Sequence, residues 1–441
     1  MATVPVFTQS VNNDVDILFM IDDSGSMREE QANLRRNFPA FTGVLKALPQ
    51  GLPNVHIGVI SSDLGAGPFT TVASCHPGGD QGRFQSAPRA QGGACTAVPR
   101  GSFISAIGGA HNFDGDIDPV LSCIAELGTR GCGFEHQLQS IRVALDPDLM
   151  PPENRGFLRD EAVLAVVLLT DEDDCSAPAD SPLFDPSQDT PDAPLGRLDS
   201  FRCNEFGHLC GGAPPPRTAA SNLQMCTSAE DGRLVRVSEI ADFLKSLKAD
   251  PNDVMVAAIT GPPTPYSVDV RSTPNQSGVV QPAPEIVPSC TSANGSAAPA
   301  VRIRELVDAF GVNGTFLSIC ADDFRPAMTR IGQEIARRAS LECLIQRPAD
   351  VDPDLPGLQP NCQVVDERQV NGAAVRATIP ACATSAPPCW RVQADAKCPR
   401  SATDMIVDRA GVPPDANTRV HVTCETCADA ADPRCAILTG P

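Results

Sequence analysis

Five short apolar runs, at residues 17–21, 55–60, 163–169, 254–260 and 315–319, recur along the chain and leave few folds open to it. None shows the alternation of a half-solvated strand, so each reads as a strand buried on both faces. Between them, apolar residues fall three and four apart, as on one buried helix face. They are Leu34, Phe38, Phe41, Val44 and Leu48; then Phe134, Leu138, Ile141 and Leu145; then Leu234, Val237, Ile240, Leu244 and Leu247. Ile303, Leu306, Val307 and Phe310 follow, and then Phe324, Met328, Ile331 and Ile335. Strand and helix in alternation predict an α/β fold: a doubly wound, mostly parallel sheet with helices on both faces and its ligand site beyond the carboxyl ends of the strands. Pro39 falls inside the first helical pattern, and a kink or break is expected there, because proline removes a backbone donor and crowds the preceding turn.

Three of the connections are far longer than such loops usually are. They run over about 64–133, 172–231 and 262–300, are rich in Gly, Pro and Cys, and read as irregular insertions. From residue 343 the alternation stops, prolines are dense and eight cysteines follow. Two domains are therefore expected: 1–342 with its insertions, and 343–441, a small disulfide-rich, β-leaning unit with short strands at 364–365, 374–379 and 418–423.

The first apolar run ends in Asp22-Asp23-Ser24-Gly25-Ser26-Met27. Asp22, Ser24 and Ser26 stand two apart in a turn helped by Gly25, so one carboxylate and two hydroxyls can converge as hard oxygen donors. The bland alternative is that the serines only cap the helix that follows. The spacing Asp-x-Ser-x-Ser, with a buried strand before it and Met after it, resembles the first segment of the metal-ion-dependent adhesion site of von Willebrand factor type A domains. The resemblance covers about residues 14–340, and the cysteine-bearing insertions look most like those of secreted bacterial members.

That resemblance implies a second-loop Thr, matched by Thr129, and a distal carboxylate after a buried strand, matched by Asp171. Asp22, Ser24, Ser26, Thr129 and Asp171 would then hold one divalent cation (Mg, Ca or Mn) in octahedral oxygen coordination. Should Thr129 lie away from the other four, Glu135, or a Thr or Ser from the insertion before it, is the next candidate. Two carboxylates among neutral hydroxyls leave an ion short of electrons, a design for binding rather than catalysis. The resemblance thus implies metal-dependent binding of a protein ligand that offers Asp or Glu. The alternatives are a structural subunit of an extracellular assembly, with self-association left open, and a metal-dependent hydrolase. The insertions should all emerge on the metal-bearing face and choose the partner.

No catalytic machinery is visible: there is no Gly-x-Ser-x-Gly elbow, phosphate-binding loop or metalloprotease His spacing, and the chain is not expected to be an enzyme. Asp114, Asp116 and Asp118 have the start of a calcium loop, but Pro119 stands where glycine is needed and no Glu stands at the twelfth position, so a solvated acidic turn is expected. A zinc site from His421, Cys424, Cys427 and Cys435 is set against disulfides, which the other cysteines favour. Thirty-four basic against 54 acidic residues give −20, which argues against nucleic acid as a partner. No run is long enough to span a membrane, so direct membrane insertion is not expected. Eighteen cysteines point to an extracytoplasmic, oxidising compartment, although residues 1–8 carry no signal-sequence pattern. The cysteines fall in even blocks, four at 75–132, four at 175–226, two at 290 and 320 and eight from 343 on, so disulfides are expected within blocks. Trp390, beside Cys389, reads as a core residue.

Overall fold

The apolar runs form the strands of one seven-stranded sheet. A computed structural model describes residues 5–48, 51–89, 95–275, 277–339, 344, 346–355, 357–370, 373–394, 403–415 and 418–426. The sheet comprises β1 (Asp14–Ile21), β2 (Asn54–Ser61), β3 (Ile104–Ile107), β4 (Ala110–His111), β5 (Val163–Leu169), β6 (Val254–Thr260) and β7 (Gly314–Ser318), in the order β7-β6-β5-β1-β2-β3-β4. The five long-predicted strands are mutually parallel, and β3 and β4 add an antiparallel edge. This edge comes from the first insertion and is too short to leave a pattern in the sequence.

Seven helices accompany the strands among the described residues: α1 (Arg28–Lys46), α2 (Ile117–Ile124), α3 (Gln137–Leu145), α4 (Phe201–Gly207), α5 (Val237–Ser246), α6 (Val301–Asp308) and α7 (Arg325–Ala339). Side chains alternate across a strand. Val15, Ile17, Phe19 and Ile21 of β1 therefore join α1, α2 and α7 in one core, while Leu18 and Met20 join α3, α5 and α6 in another. Phe19 meets Phe38 and Phe41 edge-on at 5.5 and 5.6 Å. In β2, a Cβ at Gly58 would lie 2.8 Å from the Phe84 ring, so glycine there lets the aromatic cluster reach the strand.

The break expected at Pro39 does not occur, since α1 runs through it. Proline leaves the Arg35 carbonyl without its helical donor, and the Ser122 hydroxyl of α2 donates to that carbonyl at 3.2 Å. Arg35 Nε returns a bond to the Ser122 carbonyl at 2.9 Å. The acidic turn before α2 is also structural: Asp116 accepts from Asp118 N as the cap, and Lys46 bonds to Asp116 and Asp118.

The insertions are more regular than their composition suggests. Ala66, Val72, Phe134, Leu183, Phe184 and Leu198 pack the first two against each other, around Cys75–Cys132 and Cys175–Cys203. The third is a β-ribbon, Tyr266–Pro274 against Val280–Val287, joined by Ser221–Leu223. Its prolines 282 and 284 lie on the edge strand, where a missing N–H is tolerated.

In the tail, Cys362–Val370, Ala373–Ile379 and Thr418–Glu425 form an antiparallel sheet, over a core that includes Trp390. Val6–Asn12, which the division at 342 put with the first domain, is a strand of this tail sheet, paired along Thr418–Glu425. Seven disulfides join described cysteines, all within the expected blocks: the two above, Cys95–Cys123, Cys210–Cys226, Cys290–Cys320, Cys362–Cys424 and Cys382–Cys389. So many disulfides fit an oxidising environment. Cys424 is thereby taken from the zinc constellation, while Cys427 and Cys435 lie outside the described residues. No helix among the described residues is long and apolar enough to cross a membrane.

Candidate functional site

β1 and β5 are neighbours in register, so their carboxyl ends deliver Asp22 and Asp171 side by side. The ladder continues one bond further, from Asp22 N to the Leu169 carbonyl at 2.9 Å. Asp22 is fully buried and well satisfied. Its Oδ1 accepts from Ser24 N at 2.8 Å and lies 3.4 Å from the Ser62 hydroxyl, and its Oδ2 accepts from the Thr170 hydroxyl at 2.6 Å. Gln137 of α3 orients Thr170 by donating to its oxygen at 3.0 Å. Ser24 and Ser26 hydroxyls are 3.3 Å apart, and Ser26, which is exposed, lies close enough to Asp171 to oppose the rise of its pKa. Asp171 itself is 5% exposed, yet its Oδ1 has no hydrogen-bond partner.

The acidic run 171–174 divides its labour. Asp171 stands at the oxygen cluster, and Glu172 lies within electrostatic reach of Asp22. Asp173 caps α6, accepting from Val301, Arg302 and Ile303 N at 2.7, 2.8 and 3.1 Å, and bonds to His208 Nε2 at 2.8 Å. Burial pushes the Asp173 carboxyl up, but these bonds outweigh it and hold it low. Asp174 accepts from Leu138 N at the start of α3 and pairs with Arg302, both groups wholly buried. Such carboxylates satisfy orphan donors and the positive end of the helix dipole.

Glu135, Glu172 and Glu30 lie within electrostatic reach of Asp22, and of the three only Glu135 is a candidate from the sequence. Glu135 is positioned by its backbone, since His136 N donates to the Ser62 carbonyl at 2.9 Å and Cys175 N to the Glu135 carbonyl at 2.8 Å. Its side chain feels the charges of Glu172, Asp22 and Asp171. Burial raises the whole group, Asp171 to about 8, Glu172 and Glu30 each to about 7, and Asp22 and Glu135 upward as well. Neighbouring carboxylates add to the rise at Asp171, Glu172, Glu135 and Glu30 but not at Asp22, where hydrogen bonds oppose it. No basic side chain is among the leading influences on any of these five.

Thr129 lies half-buried on the loop between α2 and α3. Gln31 of α1 ties that loop to the Asp22 turn: Nε2 donates to the carbonyls of Asp22 and Gly128, each at 2.8 Å, and Oε1 accepts from Gly128 N at 3.1 Å. Gly131 N donates to the Asp23 carbonyl at 2.8 Å, and a Cβ there would sit 2.3 Å from Asp23 Oδ1, so only glycine permits the approach. The Thr129 hydroxyl makes no hydrogen bond among the described residues. From the third insertion, Ala298 N donates to the Asp171 carbonyl at 2.8 Å, and Gly295 packs so closely on Glu30 that a Cβ would meet Oε1 at 2.1 Å. All three insertions thus contribute contacts around the strand ends.

The donor set is all hard oxygen, which fits a divalent cation of the calcium or magnesium kind. The unpartnered, buried Asp171 Oδ1 beside the exposed Ser26 hydroxyl fits it too. Among the described residues no three His, Cys, Asp or Glu side chains converge as a ligand group. A cation here would therefore rest on one or two carboxylates supplemented by hydroxyls and water.

No family model matches the sequence, and no curated protein matches it. Among solved structures, the human COPII-coat protein Sec24c aligns at 11% identity and a TM-score of 0.28, over 94% of this chain and 40% of that one. The chain thus spans well under half the length of that protein, and likeness at this level carries no argument about fold or function.

Proposed function

We propose that the chain is a secreted or surface-exposed protein with a doubly wound domain of the von Willebrand factor A type, which binds a protein partner through one divalent cation. The observation that carries this reading is the buried, unpartnered oxygen of Asp171 beside the exposed hydroxyl of Ser26, next to Asp22 at the ends of adjacent strands. Asp22 and Asp171 supply the charge, Ser24, Ser26 and Thr129 supply neutral oxygens, and the exposed Gly25–Ser26 side leaves room for an acidic side chain of the partner. When bound, the cation provides an electron-poor point for that carboxylate. The insertions around the site choose the partner, and no catalytic role is assigned. A structural role for the cation is the second reading, supported by buried Glu135 and half-buried Glu172, whose carboxyls would offset much of its charge.

Pull-down from the native surface, with and without chelator, separates the readings. Binding that needs the cation and disappears in Asp22→Ala supports adhesion. Chelator-sensitive self-association with no foreign partner supports the structural role. Replacing residues 176–225 with a short linker is expected to abolish partner selectivity and to spare cation binding.

A further inference from the structure

We propose that Gln31 is the positioning residue of the cation site: its amide fixes the second loop, and with it Thr129, against the Asp22 turn. The inference rests on the cation reading above and adds a residue that the Asp-x-Ser-x-Ser resemblance does not contain. Gln31 lies on the buried face of α1 and is 4% exposed. An amide has two donor hydrogens and one acceptor oxygen. Here both hydrogens are used, one on the Asp22 carbonyl and one on the Gly128 carbonyl, each at 2.8 Å, while the oxygen takes Gly128 N at 3.1 Å.

One side chain therefore grips the carbonyl of the first site residue and both backbone groups of the residue before Thr129. Without it, those buried backbone groups would each lose a partner, at a point where the loop's other tie to the turn is the single bond from Gly131 N to the Asp23 carbonyl. No other side chain could replace this pattern at the same length. Glutamate keeps the shape but loses both donors and sets a charge against two carbonyl oxygens, and methionine keeps the volume but loses all three bonds. Groups that orient ligands from behind typically change metal affinity by about 10–100-fold when removed.

The test is a double-mutant cycle read by calorimetric titration of Mn2+ into chelator-stripped protein, using wild type, Gln31→Met, Thr129→Val and the double variant. Gln31→Met is expected to weaken Mn2+ binding by about 10-fold or more, and to add little once Thr129 is already Val, because residues that act through one contact are not additive. Hydrogen exchange without metal supplies an independent readout: the Gly128 amide should lose protection in Gln31→Met while β1 and β5 keep theirs. Additive effects of the two substitutions, unchanged Gly128 protection, or wild-type affinity in either single variant would overturn the inference. A wild-type chain that binds no Mn2+ would instead sink the cation reading beneath it, so the two failures are distinguishable.

Discussion

Replacing Arg202 with methionine should melt the second insertion while leaving the sheet folded. Arg202 is 1% exposed, and its guanidinium acts as the insertion's core. Nε donates to the Arg197 carbonyl at 2.6 Å, one terminal nitrogen to the carbonyls of Leu183 and Asp185 at 2.6 and 3.3 Å, and the other to those of Gln188 and Gly196. Methionine matches its reach but satisfies none of these five carbonyls. Each buried acceptor left unpaired costs about 1–3 kcal/mol. Set against that is the cost of burying the cation, which lowers the Arg202 pKa to about 10 and is worth roughly 3 kcal/mol. With water reaching some of the carbonyls, the net loss should be about 3–5 kcal/mol, as for other broken buried-charge arrangements. Since about 1.4 kcal/mol is a factor of ten, amides in 183–210 should exchange at least about 100-fold faster in Arg202→Met, read by mass spectrometry, with β1, β5 and β6 unchanged. Unchanged exchange in 183–210, or equal acceleration throughout the sheet, would refute the reasoning.

Ser122→Ala should cost about 1 kcal/mol of stability by orphaning the Arg35 carbonyl, and nothing in a Pro39→Ala background, where the helix supplies its own donor. Equal costs in both backgrounds, measured by urea denaturation, would show that Ser122 does not fill the gap. Burial, and then the Arg159 charge, lower the His56 pKa to about 4 from its ordinary value near 6.5. The unfolded chain therefore binds the extra proton first, so His56 contributes full stability above pH 6.5 and loses up to roughly 3 kcal/mol as pH falls toward 4. Wild type minus His56→Gln should show that slope, and parallel stability curves would exclude it. Removing Cys290–Cys320, which closes a separation of 30 residues, should cost about 3–4 kcal/mol, and an unchanged denaturation midpoint in Cys290→Ser/Cys320→Ser would contradict this.

The central sheet was legible because its parallel strands are buried on both faces and hence uniformly apolar, while the amphipathic helices repeat at three and four. The antiparallel edge at 104–111 was not legible, because Ile104–Ile107 is only four residues long and its partner two. Pro39 misled in a specific way: propensity predicts a break, but Ser122, 83 positions away by number, supplies the missing donor, and no local window contains that residue. In the candidate site, Asp22, Ser24, Ser26 and Asp171 are named from one spacing and one strand end. Glu30, Ser62, Thr170 and Glu172 are not, although Thr170 and Glu172 flank Asp171 and share its strand end. The run 171–174 reads as four equivalent acids, and only tertiary partners, the starts of α3 and α6 and the Arg302 guanidinium, separate their roles. Arg202 and Gln31 carry no sequence signal, since their partners are almost all backbone atoms.

Calorimetric titration of Mg2+, Ca2+ and Mn2+ into chelator-stripped wild type, Asp22→Ala and Asp171→Ala tests the cation site most directly. Saturable binding of one ion per wild-type chain, abolished or strongly weakened in both variants while their sheets stay folded by circular dichroism, is the predicted result. A wild-type chain that takes up none of the three ions, or variants that bind as wild type does, would contradict it.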